Sequence, residues 1–188
     1  MIRNRLFVAL TLILSVALGA ILFQSCTKDN ATAPSSQSSV ITSDAALFKL
    51  ISQTDPFSGY ALFPNAEAVT RGTLNGSEAH QPLVRVSLNA KALGALQNGK
   101  LPPAAKFPDG SVIVKEVRNS SGGTNEMTVI YKESGNPLAG SGWLWADFSP
   151  SGGVNYSITG AGKECTFCHV RERGTQNDLV RTFERQKS

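Results

Sequence analysis

Between residues 83 and 158 the chain alternates short apolar runs with turn residues. Leu83 to Leu88, Ser111 to Val117, Glu126 to Lys132, Trp143 to Phe148 and Val154 to Ile158 are rich in β-branched and aromatic side chains and read as strands. Pro108-Asp109-Gly110, Ser121-Gly122-Gly123 and Pro150-Ser151-Gly152-Gly153 separate them and supply the fixed and positive φ angles that turns need. The pattern predicts an antiparallel meander. Three segments break the two-residue period. Ala45 to Ile51 behind Ser43-Asp44 is a capped helix, Asn89 to Gln97 closed by Gly99 is a second, and Asp178 to Phe183 opens a third near the C-terminus. The expected class is therefore mainly β (α+β), an antiparallel sheet with a few flanking helices. Residues 43–188, about 145 in number, suffice for one domain with its own core.

The N-terminal pattern is of another kind. Arg3 and Arg5 precede an apolar run from Leu6 to Phe23, and Gln24-Ser25-Cys26 follows, the layout of an export signal over residues 1–25. Leu22-Phe23-Gln24-Ser25-Cys26 resembles a loosened bacterial lipobox, which makes Cys26 the lipidated first residue of the mature protein. An uncleaved membrane anchor is the alternative, because about 18 apolar residues approach the length of a span. Residues 26–42, with Ala33-Pro34-Ser35-Ser36-Gln37-Ser38-Ser39, read as a flexible linker. The expected location is the periplasmic side of a bacterial membrane, tethered by lipid. Charge adds little: the net +4 comes from 18 basic and 14 acidic side chains, and removing Arg3 and Arg5 halves it. No basic patch suggests nucleic acid.

Cys165-Thr166-Phe167-Cys168-His169 carries the chemistry. This spacing is that of c-type haem attachment: each thiol can add to a vinyl group, and the adjacent imidazole becomes the proximal iron ligand. A dithiol/disulfide pair would not require the histidine. Tetrahedral zinc would require a second ligand pair, which three Cys and two His in the whole chain do not provide. One covalent haem c on Cys165 and Cys168, with His169 on the iron, is the expectation, and it agrees with export. Only 19 residues follow His169, with no Met or His among them. A sixth ligand would have to come from upstream, from Met127, His80 or a lysine. An iron open on its distal side is the simpler reading. The strand pattern also excludes the small all-helical and four-helix haem scaffolds.

Phe107-Pro108-Asp109-Gly110-Ser111-Val112-Ile113-Val114-Lys115-Glu116, the Trp143-Leu144-Trp145 strand, and the late CxxCH followed by Asp178-Leu179-Val180-Arg181-Thr182-Phe183 resemble the cytochrome P-460 family and its relative cytochrome c′-beta. The resemblance covers roughly residues 80–183. It implies a largely antiparallel β fold, a single c-type haem that is five-coordinate at rest, and, in cytochromes P-460 proper, hydroxylamine oxidation and nitric oxide binding with a lysine cross-linked to the porphyrin edge. Lys115 matches that lysine by its place in the motif. On a strand Ser111, Ile113, Lys115 and Val117 share one face, where a charged amine is costly unless it gains a partner or loses its charge. The plain alternative is that Lys115 snorkels out or pairs with Glu116 or Glu133. The family's distal carboxylate has no aligned counterpart; Glu133 and Asp147 are candidates as acids near strands. Phe107, Trp143, Trp145 and Phe148 could wall the haem pocket or simply pack the core.

Three functions compete on these residues. The first is haem-dependent oxidation of hydroxylamine or a related small nitrogen oxide. The second is a non-catalytic module that binds or senses nitric oxide, and the third is simple electron transfer through an upstream sixth ligand. The partners implied are a small nitrogen-oxide ligand or substrate, a periplasmic electron-transfer protein and a membrane. A homodimer is left open.

Overall fold

Ser43 starts the first helix, α1 (Asp44–Lys49), by accepting the Ala46 N–H on its hydroxyl at 3.2 Å, and Asp44 in the first turn suits the helix dipole. The computed structural model describes residues 40–72, 79–171 and 174–187. The export segment, Cys26 and most of the linker lie outside the described residues. Among those described, no helix is long and apolar enough to cross a membrane.

Two very short strands, β1 (Ala61–Leu62) and β2 (Thr70–Arg71), precede β3 (Leu83–Leu88), which leads into helix α2 (Ala90–Gly94). The long strands follow: β4 (Val112–Arg118), β5 (Thr124–Lys132), β6 (Trp143–Phe148) and β7 (Val154–Tyr156). All pairings are antiparallel, in the order β1-β3-β4-β5-β6-β7, with β2 also on β3. The mainly β expectation is met, and the meander β4-β5-β6-β7 is the one the turns predicted.

Both faces of this sheet are covered, which is why β4 and β6 read as nearly continuous apolar runs. Val112, Val114, Met127, Leu144 and Phe148 pack against Leu47 and Ile51 from the N-terminal helix on one side. Ile113, Ile130, Trp143 and Trp145 pack with Phe107 and Leu88 on the other. The apolar N-terminal layer begins at Ile41, which is buried although the sequence placed it in the linker.

A last helix, α3 (Lys163–His169), carries the CxxCH residues. The helix expected over Asp178 to Phe183 is corrected. Asp178 and Leu179 are left-handed, with φ of 51° and 68°, and a 3-10 turn spans Arg181–Arg185. The Asp178 side chain is drawn inward to buried partners, so the chain cannot wind regularly through it. The run from Val154 to Ile158 is likewise shorter as a strand, because Ser157 caps a 3-10 turn at Ile158–Gly160.

Candidate functional site

A cavity of about 330 Å³ lies on the Ile113 side of the sheet, within the size range of small-molecule sites. The sheet forms its floor because alternate residues of three adjacent strands reach the same face: Ile113 and Lys115 on β4, Thr128 and Ile130 on β5, Trp145 and Asp147 on β6. Helix α3 and the segment from Val180 to Arg185 cover it.

Gly162 lets α3 settle on the sheet. Its φ is 66°, and a Cβ there would strike the Trp145 indole. The helix then points Cys165, Cys168 and His169 at one cavity, and both cysteines are free thiols. Burial and the nearby Glu164 carboxylate push the Cys165 thiol up to about 11. His169 meets the edge of Trp145, with ring centroids 4.9 Å apart. Its Nδ1 lies 2.7 Å from the Leu179 carbonyl. A carbonyl only accepts, so Nδ1 carries the proton and Nε2 keeps its lone pair. Burial first, and the Lys115 charge second, lower the imidazole pKa to about 3, so the ring is neutral.

Lys115 lines the same cavity. Burial, then the Arg185 and Arg181 charges, bring its amine down to about 8. The alternative partners do not reach it. Glu116 lies on the opposite face, 2.7 Å from Arg85. Glu133 accepts from the Ile41 N–H at 3.2 Å and from Asn136 Nδ2 at 2.7 Å, so it ties down the N-terminal segment and is not a cavity residue.

Two acids line the cavity, Glu164 on α3 and Asp147 on β6; Asp147 is hydrogen-bonded to Glu126, which lies one strand over and one step along the same face. Burial, then the hydrogen bond shared with Glu126, raise Asp147 to about 8. Glu126 moves down, chiefly through His80, whose Nδ1 is 3.9 Å away. One proton is thus shared between two carboxyls, with Asp147 as its principal holder. Burial holds His80 below its ordinary value, with Lys115 adding to the shift.

The sequence model of the cytochrome P460 family matches residues 66–182, more than half of the chain and all of the cavity's floor. The chain belongs to the cytochrome P460 family. It is a c-type cytochrome of that family, and haem and iron come with membership. Among curated proteins none matches its sequence. The residues fit the group: two thiols one helical turn apart, a neutral imidazole with a lone pair on Nε2, the apolar side chains of Ile113, Ile130 and Trp145 on the floor, and two guanidinium groups, Arg181 and Arg185, on the cavity wall.

For this cytochrome P460 member the structure sorts the other candidates. Met127 is 3% exposed and packs on the far side of the sheet, so it is removed as an upstream ligand, whereas His80 lines the cavity. Of the four aromatic residues, Trp145 reaches the cavity; Phe107 and Trp143 pack beneath the same face, and Phe148 is on the opposite one, against Phe48 at 5.3 Å. Sequence reasoning missed Glu126, Thr128, Arg181 and Arg185. The first two were discoverable only from the β5-β6 register, and the arginines only from the irregular path after Leu179.

Proposed function

We propose that this protein carries one haem c, bound through Cys165 and Cys168 with His169 as proximal ligand, and that it acts on a small nitrogen oxide, hydroxylamine being the substrate class. The observation that carries the reading is that Lys115, a lysine of lowered pKa, and the CxxCH residues line one small cavity. Haem iron supplies the electron acceptance that nitrogen oxidation needs. The chain's own residues do the rest. His169 donates Nε2 and is oriented through Nδ1, and the Asp147–Glu126 pair takes a proton from a bound N–H or O–H when Asp147 is ionised. Lys115 is suited to bond the porphyrin edge. Such a bond would replace one amine N–H and one ring C–H and would pass two electrons and two protons to an oxidant such as peroxide.

Export and lipid attachment through Cys26 belong to the same proposal, since thioether formation takes place on the exported side. Electrons would leave to a periplasmic carrier. Trypsin and mass spectrometry test the lysine: in oxidant-exposed holoprotein, peptide 107–118, uncut at Lys115, should travel with the haem peptide 164–171. Finding them separate, with an ordinary haem c Soret band, would turn the reading to nitric oxide binding without turnover.

A further inference from the structure

His169 is held from behind by a residue in an unusual conformation. The Leu179 carbonyl that meets Nδ1 at 2.7 Å belongs to one of two successive left-handed residues, Asp178 and Leu179, with φ of 51° and 68°. Non-glycine residues occupy that region at a cost, and persist there when surrounding structure over-determines them.

Asp178 supplies the constraint. Its side chain is 2% exposed, and its two carboxylate oxygens lie 3.1 and 2.9 Å from Lys132 Nζ. The carboxylate also accepts the Phe107 N–H at 3.0 Å, and Lys106 approaches from solvent at 3.3 Å. Its main-chain carbonyl accepts from Trp143 Nε1 at 2.9 Å. Lys132, 5% exposed, sits directly opposite Trp143 in the β5-β6 register and lies 4.8 Å from the centroid of that ring. A buried ion pair is an inefficient way to stabilise a fold. Together with the Trp143 bond to its backbone, this one fastens a single turn to β5 and β6, one residue before the carbonyl that holds His169.

We propose that Asp178, gripped by Lys132, Phe107 and Trp143, is a positioning residue that fixes the Leu179 carbonyl on His169 and so sets how strongly the imidazole donates to iron. The proposal rests on the haem reading above. A firm Nδ1–H···O=C bond raises the basicity of the ligating nitrogen, which favours ferric over ferrous iron. Loosening the turn should therefore raise the midpoint potential and weaken the iron–histidine bond.

The test uses haem-loaded full-length protein and two readouts besides activity: the midpoint potential, and the ferrous iron–histidine stretch by resonance Raman. Asp178→Gly tolerates the left-handed backbone while removing the carboxylate grips; the potential is expected to rise and the stretch to fall in frequency. Leu144→Ala, which opens a cavity on the opposite face of the sheet, should lower stability without moving either quantity. If Asp178→Gly yields no folded holoprotein, Asp178→Asn replaces it, keeping the shape and losing the ion pair, with smaller shifts of the same sign. Unchanged potential and stretch in the recovered variant, or equal shifts in Leu144→Ala, would overturn the positioning role while leaving the haem reading intact. Loss of haem from the wild-type protein would instead sink that reading.

Discussion

Lys115 and Asp147 face one cavity, and burial drives both toward neutrality from opposite directions. The lysine falls to about 8 and the aspartic acid rises to about 8. For the lysine the sign is that of a depressed folded-state value: below about 8 both folded and unfolded chains carry the proton, and the folded chain bears the desolvation cost. Between about 8 and the ordinary 10.5 the unfolded chain holds the extra proton, so stability rises with pH. Lys115→Met should therefore stabilise the haem-free protein at pH 7 by about 3 kcal/mol, an order-of-magnitude figure from the size of the shift, and abolish the rise above pH 8; urea unfolding at several pH values checks both. Asp147 can accept a proton only when ionised. Hydroxylamine turnover should climb as pH passes about 8, and Asp147→Asn should flatten that profile at a rate lower by about 10²-fold or more.

At the scale of elements, the positions of strands and caps were legible because each is encoded locally. β3 and β6 occupy the predicted residues, and Ser43 and Asn89 cap the first two of the three predicted helices, the second ending at Gly94 rather than Gln97. Asn89 also reaches beyond its helix: its Oδ1 accepts from the Ala92 and Val112 N–H groups at 3.0 and 3.1 Å, and its Nδ2 donates to the Gly110 carbonyl at 3.0 Å. Asn89→Ala should accordingly cost about 2–3 kcal/mol, more than a cap alone, because buried amides lose their partner at the start of β4; denaturant unfolding measures it. What depends on distant pairing was not legible. The period of two put Lys115 with Ile113 on one face, as found, but could not say that Glu126 and Asp147 would meet across β5 and β6 or that Met127 would face away. The C-terminal segment has helix-compatible residues. Its regular path is overridden by the buried Asp178–Lys132 pair, a contact across 46 positions. β1 and β2, two residues each, carry too little pattern to be read in advance.

Across the whole molecule, the sheet divides the labour. One face is packed with aliphatic and aromatic side chains against the N-terminal helix, and the other gives up part of its packing to a cavity that holds the titratable groups. Glu133 belongs to the first side, fastening Ile41 and Asn136. Glu133→Ala should loosen the N-terminal segment at a cost of about 1–3 kcal/mol and leave haem spectra and turnover unchanged, read by unfolding and by the Soret band. A haem joined to α3 is expected to fill the cavity. The most direct test is mass spectrometry of the protein made in a host competent in cytochrome c maturation. Peptide 164–171 is expected to carry the mass of one haem, with neither Cys165 nor Cys168 open to alkylation. A folded product in which both thiols alkylate and that peptide has its bare mass would contradict it.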